Sequence, residues 1–96
     1  MSPYNKKKLL KIRKKLDFLD NKLLNLIKDR TILVNEVIKL KEFKSEIVDH
    51  MRIKKILNDI KKKSILKKID PYITNRIWKN MIWSYINYER KKFKKK

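Results

Sequence analysis

Apolar residues recur mostly at three- and four-residue steps along the first 40 positions of the chain. The series begins at Leu9 and ends at Leu40, and no Pro or Gly interrupts it. This spacing places the apolar side chains on one face of an α-helix. The pattern therefore predicts a helix from about Lys6 to Lys41, with Pro3 before its start, where a proline is tolerated.

The helical pattern breaks after this segment and resumes further along the chain. Residues 42–48 have no helical period and predict a loop. Asp49 then stands where an N-cap is needed for a second helix over about 50–63. The apolar face of this helix is expected to consist of Ile53, Ile56, Leu57 and Ile60.

The dipeptide Asp70-Pro71 is the clearest helix start in the chain, because an acidic N-cap precedes a proline at the first helical position. A third helix is expected from Pro71 to about Phe93. Its core side chains are expected to be Ile73, Ile77, Met81 and Ile86. The sequence therefore predicts an all-α fold of a long, a short and a medium helix, in a single domain over residues 1–96.

The length of the first helix has a consequence for assembly. A helix of about 35 residues is about 50 Å long at 1.5 Å per residue. The rest of the chain is too short to cover its apolar face. Two chains that exchange their long helices bury this surface, so we expect an intertwined homodimer.

The composition excludes several classes of site. The 96 residues include no Gly, no Cys and a single His, His50. Without Gly there is no phosphate-binding loop, and without Cys there is no disulfide, thiolate nucleophile or Cys-based zinc site. We therefore expect no cofactor and no metal. No apolar run exceeds three residues, so we expect no transmembrane helix, no membrane partner and a cytoplasmic location.

The charge favours an anionic partner. Lys and Arg total 29 against 10 Asp and Glu, which gives a net charge of +19. One interpretation is a basic nucleic-acid-binding protein. The tail Lys91-Lys92-Phe93-Lys94-Lys95-Lys96 resembles the basic segments that contact phosphates in such proteins. The lysines, however, are spread over all segments and no recognition module fits. No specific nucleic-acid partner is expected.

The spacing of three cations suits a small dianion instead. Arg30 and Lys41 are eleven residues apart, which is about three helical turns, so they share a face about 16 Å apart. Two long side chains that lean inward at this distance bracket a small dicarboxylate. Arg13 lies about 26 Å before Arg30 and on another side of the helix. If Arg13 is functional, it must act from the partner chain of the dimer.

The first helix carries a specific motif, Leu9-Leu10-x-Ile12-Arg13-x-x-Leu16-Asp17-x-Leu19-Asp20-x-x-Leu23-Leu24-x-Leu26-Ile27-x-x-Arg30, and Lys41 follows eleven residues later. Together with Asp49-x-x-Arg52 and Ile77-Trp78-x-x-Met81-Ile82, it resembles the all-helical chorismate mutase family over nearly the whole chain. The resemblance implies a stand-alone homodimer with two shared sites. It also implies the rearrangement of chorismate to prephenate in phenylalanine and tyrosine biosynthesis, with no covalent intermediate.

The resemblance also implies a role for each matching position. Arg13 from the partner chain and Arg30 hold substrate carboxylates, and Arg52 supports the anion. Lys41 binds a carboxylate and the ether oxygen, and Asp49 takes the ring hydroxyl. Glu89 stands where the family has Gln or Glu facing the ether oxygen, and it must carry a proton to donate to that oxygen.

Two positions differ from the usual mutase pattern. Ile53 stands where the family has Glu, and Tyr85 stands where a Ser is common. Both differences resemble isochorismate-pyruvate lyases, which form salicylate on the same fold, whereas Asp49 resembles the mutases. The rearrangement of chorismate is the expected reaction and the lyase reaction is the alternative, and Tyr85 is a candidate substrate contact in either of them.

Several candidates also have a purely structural explanation. Asp49 can serve only as a helix cap, and Arg13 can pair with Asp17 one turn later. Glu89 continues the spacing of an apolar stripe on the third helix formed by Trp78, Ile82 and Tyr85. Its structural alternative is an exposed carboxylate paired with Lys92.

Overall fold

The computed structural model describes residues 1–94, and these residues form three α-helices and a short 3-10 turn without any strand. Helix α1 spans Pro3–Leu40, α2 spans His50–Leu66 and α3 spans Pro71–Lys92. This confirms the all-α fold and its long, short and medium order. Lys95 and Lys96, the end of the Lys-rich tail, lie outside the described residues. The chain divides into two compact units, Met1–Leu33 and Val34–Lys96.

Helix α1 begins earlier than the apolar pattern indicates. The Ser2 hydroxyl accepts a hydrogen bond from the backbone N–H of Asn5 at 3.1 Å, which is the geometry of an N-cap. Pro3 is therefore the first residue of the helix and does not precede it. The helix begins well before Leu9, the first residue of the apolar series, because the N-cap determines where it begins and burial of apolar side chains does not.

The loop after α1 is held by one carboxylate. Oε1 of Glu46 accepts from the backbone N–H groups of Glu42 at 3.1 Å and Phe43 at 2.8 Å, and residues Lys44–Glu46 form the 3-10 turn. The helix ends at Leu40, so Lys41 is the first residue beyond it. Its backbone N–H still bonds to Ile38 O at 3.2 Å, which closes the last turn.

The starts of α2 and α3 agree with the sequence. The carboxylate of Asp49 accepts from the Arg52 N–H at 3.0 Å, and that of Asp70 accepts from the Tyr72 N–H at 2.9 Å. Pro71 occupies the first position of α3, where its missing N–H costs no hydrogen bond. Both N-cap predictions are confirmed.

The second unit contains a small apolar core. Ile47 from the loop and Ile82 and Ile86 from α3 are buried together. Partly buried side chains surround them, namely Val48, Ile53, Ile56, Leu57 and Phe93. The apolar face predicted for α2 is therefore the face that packs on α3.

The prediction for the core of α3 is partly wrong. Ile86 is buried as expected, but Ile73 and Ile77 are each 53% exposed. The other buried isoleucine of α3 is Ile82. A row of residues four apart drifts by about 40° per step around a helix, so it winds away from a buried face. The buried row alternates steps of four and three.

A short linker joins α2 to α3. The Ile69 N–H bonds to Ser64 O at 2.9 Å and the Lys68 N–H to Ile65 O at 3.1 Å, which is a Schellman motif. The motif requires a left-handed residue, and Lys68 adopts φ 58° in a chain without Gly. The buried Ser64 hydroxyl lies 2.7 Å from the Thr74 hydroxyl, which links the two helices.

The first unit is a length of α1 with an exposed apolar face. Five side chains at helical spacing are between 40% and 63% exposed, namely Leu16, Leu19, Leu23, Leu26 and Ile27. An isolated helix is marginal in water, and packing of its apolar face supplies most of its stability. The apolar face of this unit is therefore not covered by other residues of the same unit.

Candidate functional site

Lys41 and Glu89 form an ion pair in the second unit. Lys41 Nζ donates to Glu89 Oε1 at 3.1 Å, and the two side chains are 18% and 10% exposed. Lys41 comes from the end of α1 and Glu89 from the last turns of α3. The structure therefore brings together the two residues that the sequence identified as catalytic candidates.

The surroundings of Glu89 explain why a carboxylate is buried there. Glu89 is 7% exposed and follows Ile82 and Ile86 on the inner face of α3. A buried charge is tolerated only when it is paired and hydrogen-bonded, and the ammonium of Lys41 meets this need. The alternative of an exposed Glu89 paired with Lys92 is wrong, because Glu89 is buried and its ion pair is with Lys41.

A shallow depression lies on the same side of the second unit. It is open, has a volume of about 450 Å³, and is lined by residues from the loop and the start of α2, namely Lys41, Glu46, Val48, Asp49, His50 and Met51. Lys41 and Asp49 thus share one surface.

Asp49 and Arg52 are linked through the cap of α2. The Asp49 carboxylate accepts from the Arg52 backbone N–H, so Asp49 has the structural role that the sequence allowed for it. The Arg52 side chain is exposed at the first turn of the helix. Asp49 and Arg52 therefore lie three residues apart, next to the loop that carries Lys41.

Tyr85 lies one turn before Glu89 and is partly buried. Its ring meets that of Tyr88 edge to face, with ring centres 6.4 Å apart and an angle of 88° between the ring planes. The Tyr88 hydroxyl in turn donates to Asn35 Oδ1 of α1 at 2.6 Å. This contact ties α3 to the last turns of α1, beside the ion pair.

Sequence reasoning missed Asn35 and Tyr88. An Asn inside a long helix is a signal, because its helix propensity is low and a structural reason is needed to keep it there. A Tyr next to a candidate catalytic Glu is a second signal. Neither signal shows that Asn35 and Tyr88 are partners of each other, because 53 residues separate them in the sequence.

Arg13 and Arg30 belong to the first unit, and both are exposed there. Within the described part of the chain no ion pair forms between Arg13 and Asp17, so that structural alternative is not observed. Both guanidinium groups lie on the part of α1 whose apolar face is exposed.

Two further features concern the whole of residues 1–94. No cluster of three or more His, Cys, Asp or Glu side chains in this range is arranged to hold a metal ion. Within the same range, no helix has the length and apolar character needed to cross a membrane.

The chain was then compared with known proteins. Comparisons with curated proteins and with solved structures gave no match. The family model for chorismate mutase type II matches residues 12–90, a range that includes every candidate residue described above. The chain therefore belongs to the chorismate mutase type II family of enzymes.

Proposed function

We propose that this protein catalyses the rearrangement of chorismate to prephenate, in the biosynthesis of phenylalanine and tyrosine. The observation that carries the proposal is the partly buried contact of Lys41 Nζ with Glu89 Oε1 at 3.1 Å, in a chain of this family. In this proposal the ether oxygen, which accumulates negative charge as its bond breaks, lies against this pair, next to a cation and a potential proton donor. Donors fixed at such a point are the largest single source of catalysis in many enzymes.

The rearrangement asks little of the protein beyond binding and electrostatics. The substrate breaks its C–O bond while it forms a C–C bond, so no nucleophile and no metal takes part. The protein must fold the enolpyruvyl arm over the ring and hold it there, which lowers the barrier by orientation. We assign the carboxylates of the substrate to Arg13 of one chain and Arg30 of the other. Arg52 adds positive potential.

The remaining contacts act on the reacting centre. Lys41 donates to the ether oxygen and to a carboxylate, and Glu89 donates to the ether oxygen once it is protonated. Asp49 binds the ring hydroxyl while it caps α2, because a carboxylate has lone pairs for both tasks. We assign Tyr85 as a further contact to the substrate.

A homodimer completes this assignment. The apolar stripe of Leu16, Leu19, Leu23, Leu26 and Ile27 is exposed on the first unit, and soluble proteins rarely leave such a patch uncovered. A second copy offers the same stripe, so a two-fold interface is self-complementary. Arg13 lies on this helix, so it reaches a site only where the helix packs on the partner chain.

The proposal is tested with purified protein and chorismate, by following the formation of prephenate. Turnover is expected for the wild type, and Lys41→Ala is expected to lose about 10²-fold or more in kcat, because it removes a donor to the ether oxygen. Lys28→Ala is the matched control, since Lys28 is an exposed lysine of the first unit. Absence of prephenate, or equal loss in both variants, contradicts the proposal.

A second candidate reaction is the elimination of pyruvate from isochorismate. Two observations favour it, because Ile53 packs against the apolar core and offers no carboxylate, and Tyr85 stands in place of a small hydroxyl residue. Isochorismate is therefore offered to the same preparation, and salicylate is measured by its fluorescence. A higher kcat/KM for isochorismate than for chorismate assigns the lyase reaction.

A further inference from the structure

A second side-chain bridge lies next to the Lys41–Glu89 ion pair. The Tyr88 hydroxyl donates to Asn35 Oδ1 at 2.6 Å, and both side chains are partly buried. Tyr88 directly precedes Glu89 on α3, and Asn35 lies six residues before Lys41. Both bridges therefore join the same two stretches of chain, the end of α1 and the last turns of α3.

We propose that Tyr88 and Asn35 are positioning residues, which act through Glu89 by holding it at hydrogen-bond distance from Lys41. The inference deepens the proposed function, because it concerns the same pair of residues. The contact itself is a property of the folded chain, so part of its test does not depend on any reaction.

The ion pair alone leaves α3 considerable freedom. Lys41 is the first residue beyond α1, and its long side chain loses much rotamer freedom when it is fixed. The Glu89 side chain is also flexible. One such contact between two long side chains does not by itself set the rotation of α3 about its own axis. The ion pair therefore needs a second restraint to stay in register.

The Tyr88 bridge supplies this restraint. Consecutive residues of a helix point about 100° apart, so the bonds of Tyr88 and Glu89 leave α3 in different directions at almost the same height. Two contacts that diverge in this way oppose rotation of the helix, because a turn that lengthens one shortens or misaligns the other. A Tyr side chain has only two torsions, so its bridge is stiffer than that of Lys41.

The ring of Tyr88 is itself held on two sides. Tyr85 meets it edge to face at 6.4 Å, and Lys92 Nζ lies 5.9 Å from the ring centre. The orientation of Tyr85, a candidate substrate contact, is thereby linked to the bond with Asn35. Loss of the Tyr88 hydroxyl is expected to loosen Glu89 and Tyr85 together.

The first arm of the test uses the protein without substrate. Lys41 is labelled with an acylating reagent and its rate is read by mass spectrometry, because an ion-paired ammonium is protected from acylation. Tyr88→Phe keeps the ring and removes the hydroxyl, and it is expected to raise the labelling rate about threefold or more. The Glu89→Gln variant gives the reference labelling rate of Lys41 in the absence of the ion pair. Tyr72→Phe is the matched control, since the Tyr72 hydroxyl also has a partner on α3, Arg76, at 3.0 Å but is exposed.

The second arm asks whether Tyr88 acts through Glu89. Tyr88→Phe is expected to lower kcat about tenfold and to change KM less than about twofold, as misplacement of one donor does. In the background of Glu89→Ala, which removes the donor, the same change is expected to cost little more, because residues that act as one unit are not additive. Asn35→Leu is expected to repeat the effect of Tyr88→Phe, and Asn35→Asp, which keeps an acceptor oxygen, is expected to restore most of kcat.

Each outcome decides one question. Unchanged Lys41 labelling in Tyr88→Phe and Asn35→Leu overturns the positioning role, whether or not the protein is active. A kcat loss that is fully additive with that of Glu89→Ala overturns it as well, because a general loss of stability acts independently of Glu89. Increased labelling of Lys41 in a protein that turns over neither chorismate nor isochorismate supports the positioning role and contradicts only the proposed function.

Discussion

Lys41 Nζ meets Glu89 Oε1 at 3.1 Å across a separation of 48 residues in sequence. The pair joins the end of the longest helix to the end of the last one, beside a depression lined by Lys41 and Asp49. An ion-paired Glu89 is a carboxylate and can only accept hydrogen bonds. Donation to a substrate oxygen requires that Glu89 first takes up a proton.

This requirement predicts the effects of two substitutions at position 89. The amide of Glu89→Gln donates a hydrogen bond without taking up a proton, so this variant is expected to retain most of kcat. Glu89→Ala removes the donor and is expected to lose about 10²-fold in kcat. The measurement is kcat for prephenate formation at one fixed pH.

The control for this prediction is Glu36→Ala, the same truncation at an exposed residue of α1. It is expected to leave kcat as it is in the wild type. Equal values of kcat in Glu89→Ala and in the wild type exclude Glu89 as the donor to the ether oxygen.

The order and capping of the helices were predictable from sequence because they depend on local signals. Asp49, Asp70 and Pro71 act on the backbone within three residues, so their effect is visible in the printed order. The bond between Tyr88 and Asn35 depends on how α3 is rotated against α1 within the second unit. That rotation follows from packing of side chains distant in sequence, and no local pattern contains it.

The electrostatics of α2 predict a pH effect on stability. Lys55 Nζ donates to Asp59 Oδ2 at 2.9 Å. This hydrogen bond lowers the pKa of Asp59 below its ordinary value of 3.8, the charges of Lys55, Lys63 and Lys62 act in the same direction, and desolvation opposes them. A pKa that is lower in the folded state gives stability that is present above pH 3.8 and is lost as the pH falls through the lowered pKa.

Asp59→Asn is therefore expected to be slightly less stable than the wild type at pH 6 and equal to it near pH 2. The effect is small because the pair is exposed and screened by solvent. Urea denaturation at fixed protein concentration measures it, with Asp20→Asn on α1 as the control. A difference that persists undiminished at pH 2 shows that charge is not its cause.

The linker between α2 and α3 predicts a stabilising change. Lys68 has φ 58°, a conformation that costs a residue with a Cβ about 1–2 kcal/mol. Lys68→Gly removes this cost but gives the unfolded chain more freedom, so a net gain of about 0.5–1 kcal/mol in the free energy of unfolding is expected. Lys67→Gly is the control, because Lys67 has φ −87° and gains nothing from Gly. A lower urea midpoint for Lys68→Gly contradicts the prediction.

Sites shared between chains predict rescue in a mixed dimer. Arg13→Ala and Arg30→Ala homodimers are each expected to be inactive, because every site in them lacks one guanidinium that holds a carboxylate. In a hybrid of the two, one site has both arginines intact and the other has neither. After unfolding and refolding in equal amounts, half of the dimers are hybrids with one intact site each, so about a quarter of wild-type kcat is expected. The check is prephenate formation before and after mixed refolding, with each variant refolded alone as the control. A mixture as inactive as its components shows that Arg13 and Arg30 of different chains do not serve one site.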